Sequence, residues 1–181
     1  MNKTKKIAYT GIFVALVMAL GYSLLYIPNI ELVTLIIFLS GYFMGIRIGS
    51  MVGMIGEFLF STLNPFGSGL LFPPMLMAQV IAMTFVGFTG GLIGKYLPSE
   101  GFTVKYIFVF TIAGFSLTLI YDIFVSAAYP VSAGFGLTQT IGIILSGIIF
   151  SALHITMNTL VFSLLLPIIV IRLNRSRLFY G

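Results

Sequence analysis

The chain has 181 residues, 59% of them hydrophobic and only 7% charged, with a mean hydropathy of +1.16. A water-facing surface cannot be assembled from so few charges but a lipid-facing one can, so an ordinary soluble domain is excluded and a polytopic membrane protein is indicated. The net charge of +5 comes with no cysteine and a single histidine, which removes disulfides, thiolate chemistry and a dedicated transition-metal site.

In chain order, apolar segments can be cut at polar, Gly and Pro interruptions at 6–26, 31–45, 47–63, 74–96, 104–128 and 139–171. They predict one all-α domain over 1–181, built from six transmembrane helices. The first segment follows three lysines, as a signal peptide would, but it is long enough to span and is read as retained. The second is short. The last exceeds the roughly 20 residues a bilayer requires, so it is expected to tilt or protrude, with a bend at Pro167. The connections at 27–30, 45–47, 64–73, 97–103 and 129–138 leave no room for a second domain.

Charge placement gives the orientation. With a cytoplasmic N-terminus, Lys3, Lys5, Lys6, Arg47, Lys95, Lys105, Arg172, Arg175 and Arg177 all fall on the cytoplasmic side, as the positive-inside rule requires. Both termini are then cytoplasmic, and the basic pI reports topology without a nucleic-acid partner. The outer connections "YIPNIE" (26–31), "NPFGSGLLFPP" (64–74) and "AAYPVSAGFGLTQ" (127–139) carry no cation. Turn formation explains their Gly and Pro. Their Phe, Leu and Tyr content is better explained if they cap something.

Ionisable and amide groups inside a membrane are costly, so each invites a functional reading. They are Glu57 in helix 3, Gln79 in helix 4, Asp122 in helix 5, and His154 with Asn158 in helix 6, with Glu31 and Asn64 at outer helix ends. His154 and Asn158, spaced i, i+4, share one face. The whole set falls near the midplane or in the outer half, which predicts a polar cavity opening outward over an apolar inner half. Mutual pairing that merely holds the bundle together is the structural alternative for any one of them. Tyr121, Tyr129, Phe66 and Phe72 are placed to wall such a cavity and stack on a planar ligand, although aromatics at helix ends also serve as interfacial belts.

Small residues recur every four positions at Gly11, Ala15 and Ala19 on helix 1 and at Gly45, Gly49 and Gly53 on helix 3, while Gly87, Gly91 and Gly94 line helix 4. Such stripes let backbones approach closely. Packing within the chain is expected for helices 3 and 4, and for helix 1 a face toward another subunit stays open. No nucleotide-binding motif and no inverted repeat is present, so energy for uphill transport would have to come from a partner.

The pattern resembles the substrate-binding S components of energy-coupling factor (ECF) transporters, which take up vitamins and related micronutrients in prokaryotic cell membranes. The likeness rests on six segments in about 180 residues, the basic N-terminus, the cytoplasmic termini, and "ALVMA" (15–19), which matches the family's A-x-x-x-A motif as Ala15 and Ala19. The resemblance implies ligand capture from outside, between helices 4 to 6 under the loops after helices 1, 3 and 5. It also implies docking through Gly11, Ala15 and Ala19 onto a transmembrane coupling subunit driven by two cytoplasmic ATPases, and toppling in the membrane to release the ligand. Gln79, Asp122, His154 and Asn158 fall where the family places its ligand; Glu57 fits less directly.

No cofactor, metal or catalytic residue is expected. The absence of tryptophan argues against a site built on indole stacking, and the acids without an intramembrane cation favour a neutral or cationic, ring-containing micronutrient. The competing readings are an intramembrane enzyme using Ser151 and His154, or Asp122 and His154, and a small stand-alone permease or channel. No Gly-x-Ser-x-Gly elbow supports the first, and the apolar inner half opposes the second.

Overall fold

The computed structural model describes residues 2–97 and 104–175. Arg177, counted above among the cytoplasmic cations, lies outside the described residues, as does most of the 97–103 connection. The described residues form α1 (Lys3–Ser23), α2 (Val33–Met44), α3 (Ile46–Thr62), α4 (Pro73–Tyr96), α5 (Val104–Ser132), α6 (Leu137–Ser146), α7 (Ile148–Leu160) and α8 (Leu166–Arg175), with a short 3₁₀ turn at Gly69–Leu71. Among the described residues, four stretches are long and apolar enough to cross a membrane: α1, α4, α5 and the run Ile148–Asn174.

The short second segment is the centre of the bundle. At 12 residues, α2 is about 18 Å long, well under the thickness of a hydrocarbon core. It is buried continuously from Val33 to Tyr42 by α1, α3 and α4, so it meets protein rather than lipid. The glycine stripes explain how. A methyl on Gly49 would overlap Gly41 and the Gly87 carbonyl, one on Gly53 the Met83 carbonyl, and one on Gly90 the Phe38 carbonyl. The α2, α3 and α4 backbones therefore touch directly, which is the intrachain packing expected of helices 3 and 4. Gly45, at φ +87°, makes the reversal from α2 into α3 in a conformation that L side chains rarely adopt.

The sixth apolar segment is not one helix. It breaks at Gly147, so that α6 lies mostly exposed beside α5 while the following run passes through the bundle. Within that run, Val161–Leu165 forms a π turn, with the Leu166 amide donating to the Val161 carbonyl. Pro167 follows immediately; it lacks an N–H and its ring excludes the carbonyl four residues back, which accounts for the local widening. Helix 5 runs further than expected, through Pro130 to Ser132. It then closes with Gly134 at φ +76° and bonds Gly134 N to Val131 O and Phe135 N to Pro130 O, the pairing of a Schellman stop. Tyr129 accordingly sits on a helical turn rather than in a loop.

Aromatic packing fills the bundle on the side of α2 nearer Gly45. Phe38 lies 5.1 Å from Phe162, 6.2 Å from Phe110 and 6.5 Å from Tyr42, centroid to centroid. Gly114 lets α5 approach Phe162, whose Cβ is 2.6 Å from where a methyl would stand.

Candidate functional site

The polar residues converge at the opposite end of α2, and a turn that the sequence shows openly brings the central one in. Pro28 and Asn29 occupy the middle of a tight turn closed by the Ile30 amide on the Ile27 carbonyl at 3.3 Å, with Asn29 at φ 60°. Pro followed by Asn at positive φ is the chemistry of a type II turn. Two residues later Glu31 accepts the Thr34 amide through Oε2 at 2.9 Å. Its other oxygen, Oε1, accepts from Asn158 Nδ2 at 2.9 Å and lies 3.7 Å from His154 Nε2. On the far side of the imidazole, His154 Nδ1 is 2.8 Å from Asp122 Oδ1. One ring thus stands between two carboxylates drawn from distant parts of the chain.

A second strand of the same layer runs through α3 and α4. The Ser61 hydroxyl donates to Glu57 Oε1 at 2.8 Å and lies 3.1 Å from Gln79 Oε1. The Tyr121 phenol meets the Gln79 side chain, and its ring packs edge-on against His154 at 5.8 Å. Glu57 and Asn158 are each only 1% exposed, so every polar atom they carry needs a protein or ligand partner. Among the described residues, two buried acceptors of the layer have none: Asp122 Oδ2 and Asn158 Oδ1.

The loops close over this layer. Gly69 rests against Ser61, with a methyl there only 3.3 Å from Ser61 Cβ. Tyr26 packs on Phe66 at 5.3 Å, joining the first loop to the one after α3. Phe72 packs on Tyr129, which packs on Phe135, each pair at 5.8 Å, joining that loop to the end of α5.

Of the expected site residues, Gln79, Asp122, His154, Asn158, Glu57 and Tyr121 share the layer. Tyr129 stands above it in the aromatic roof. Asn64 instead serves its own turn, accepting the Phe66 amide through Oδ1 at 2.9 Å. The prominent addition is Glu31, which sequence reasoning left at a helix end, and with it Ser61. Both His154 nitrogens face carboxylates, so neither is placed to accept from Ser151 as a hydrolase would require. On α1, Gly11, Ala15 and Ala19 are all exposed, opposite the face that buries Phe13 and Val17.

A roofed polar layer above an aromatic floor in a bundle with four membrane-length apolar stretches is the setting for comparison with known proteins. The family model described as "ECF-type riboflavin transporter, S component" matches residues 1–170. The chain belongs to this family. It is a multi-pass membrane protein and a substrate-binding component of an ECF transporter, a class that is not enzymatic. No curated protein and no solved structure matches the chain.

Proposed function

We propose that this S component captures a neutral, ring-containing vitamin in the roofed polar layer, and that riboflavin is the ligand to test first. The observation that carries the reading is the pair of buried acceptors without partners, Asp122 Oδ2 and Asn158 Oδ1. Acceptors of this kind call for a ligand that donates, and an unpaired buried acceptor disfavours an anion. Riboflavin offers an imide N–H, four ribityl hydroxyls and a planar ring for the aromatic roof of Phe66, Phe72, Tyr129 and Phe135. The family's own description, which names riboflavin, supports the same choice. Gln79, Asp122, His154 and Asn158 then contact the ligand, Tyr121 flanks it, Glu57 with Ser61 holds Gln79 in place, and Asn64 shapes the covering loop.

In this reading the chain crosses the membrane six times with both termini cytoplasmic, which puts its cations on one side and the roofed layer on the other. The exposed stripe of Gly11, Ala15 and Ala19 docks on a transmembrane coupling subunit, and two cytoplasmic ATPases supply the energy. Titrating riboflavin into the detergent-solubilised chain tests the ligand, since flavin fluorescence is quenched on stacking. Saturable quenching at one flavin per chain is expected. No quenching, together with a different vitamin found by mass spectrometry of the purified protein, overturns the choice of riboflavin.

A further inference from the structure

At the end of the bundle away from the polar layer, cations from three separate elements gather around one pocket. Lys6 of α1, Arg47 of α3 and Lys95 of α4 line a cavity of about 450 Å³ with Gly45, Ile46 and Gly91. The backbone forms its floor, because a methyl on Gly91 would overlap Ile46. The α3 N-terminus, the positive end of a 17-residue helix, opens at the same place. None of the three cations has an acidic partner among the described residues. Of the four acids, Glu100 lies outside the described residues, while Glu31, Glu57 and Asp122 belong to the layer at the other end; the Lys95 ammonium lies over the Tyr96 ring, 5.3 Å from its centroid.

A second cavity continues from the first. It is an apolar groove of about 500 Å³ between α1 and α3, walled by Ile7, Thr10, Val14, Met51 and Ile55, and it shares Lys6 and Ile48 with the basic pocket. Lys3 stands beside Lys6 on its lining. A compact anion and an apolar chain attached to it would fill the two together, with charge matched to charge and hydrocarbon to hydrocarbon. The positive-inside rule puts cations at this end of the bundle, but it does not require three of them to line one pocket that shares residues with an apolar groove.

We infer that this pair of cavities is a binding site for one anionic phospholipid, its phosphate held by Lys6, Arg47 and Lys95 and an acyl chain lying along the α1–α3 groove. Basic pockets between transmembrane helices bind lipid headgroups by this chemistry, at roughly a five-fold gain per cation. The groove includes Gly11 but not Ala15 or Ala19, so the lipid reaches the Gly11 end of the α1 stripe and leaves Ala15 and Ala19 uncovered.

Native mass spectrometry of the detergent-solubilised full chain, loaded with dipalmitoyl phosphatidylglycerol or dipalmitoyl phosphatidylcholine, tests the site. One phosphatidylglycerol should be retained in preference to phosphatidylcholine. The double variant Arg47→Gln/Lys95→Gln should lose about 25-fold of that retention, five-fold for each cation. The charge-matched Lys5→Gln/Arg172→Gln, which removes two cations outside both cavities, should keep it. Equal loss in the two variants, or equal retention of the two lipids, overturns the inference. Displacement of the lipid by inorganic phosphate or by glycerophosphoglycerol at matched concentration would reduce the site to a free-anion pocket and overturn the lipid assignment. Loss of the coupling subunit from Arg47→Gln/Lys95→Gln with phosphatidylglycerol retention unchanged would assign the face to protein docking instead.

Discussion

Replacing Asn158 with Leu separates ligand contact from bundle stability, because the two halves of its amide do different things. Its nitrogen donates to the Glu31 carboxylate at 2.9 Å, while its oxygen is buried with no partner. Asn158→Leu keeps the side chain's size. It removes a hydrogen bond to a charged group, a loss of about 1.5–3 kcal/mol, and at the same time removes an unsatisfied buried acceptor whose burial costs about 1–3 kcal/mol. The two nearly cancel, and Glu31 keeps the Thr34 amide and the His154 contact. The folded chain should therefore melt within a few degrees of the parent.

Ligand binding has no such cancellation, because the lost acceptor is one the ligand would satisfy. A contact of about 1–3 kcal/mol corresponds to a Kd raised by about 5- to 150-fold. The assays are the riboflavin quenching titration and a thermal melt on the same preparation. A Kd within two-fold of the parent would refute the reasoning and make Asn158 a structural tie to Glu31. A steep fall in melting temperature with Kd unchanged would do so more strongly.

Four other outcomes follow from the structure. Gly87→Ala drives a methyl into the Gly49 carbonyl, so it should destabilise by at least about 1–3 kcal/mol and broaden the size-exclusion peak. Gly142→Ala, with nothing within 4 Å of the added methyl, should raise helix stability by about 0.5–1 kcal/mol. Ala15→Phe on the exposed face of α1 should leave riboflavin quenching unchanged and abolish co-purification of the coupling subunit; retained co-purification would move the docking face elsewhere. Asp122→Asn removes the carboxylate from His154 Nδ1 while preserving shape, and it should weaken riboflavin binding by about 10- to 150-fold, the range of one charged hydrogen bond.

Much of the architecture was legible because membrane helices announce themselves by composition, and the glycine spacings of α3 and α4 foretold the close packing that the backbone shows. The break at Gly147 was not legible. Both sides of it are equally apolar, so hydropathy carries no mark of where one helix ends and another begins. The run of α5 past Pro130 was hidden for the opposite reason, since proline reads as a stop until tertiary packing overrides it. In the site, residues inside helices could be placed by depth. Glu31 could not, because its position depends on how the Pro28–Asn29 turn aims the chain, and a turn's local chemistry does not say what lies across from it. Ser61 was missed because a helical serine most often bonds its own preceding turn, whereas here its partner is the Glu57 side chain one turn back.

The arrangement also bears on how a ligand could leave. Thr34 and Asn158 belong to the polar layer, and one helical turn beyond each stand Phe38 and Phe162, 5.1 Å apart. With Phe110 and Tyr42 they make an aromatic floor across the centre of the bundle. Opening a path through it would displace side chains of about 150–250 Å² each in a region where α2, α3 and α4 already touch backbone to backbone. Truncating rings of this size costs about 3–5 kcal/mol apiece, so a pore through the floor would forfeit most of what holds a domain of this size together. Moving the chain as a body within the bilayer leaves that packing intact. In the proposed reading the energy is then applied from outside the bundle, at the exposed Gly11–Ala15–Ala19 face of α1.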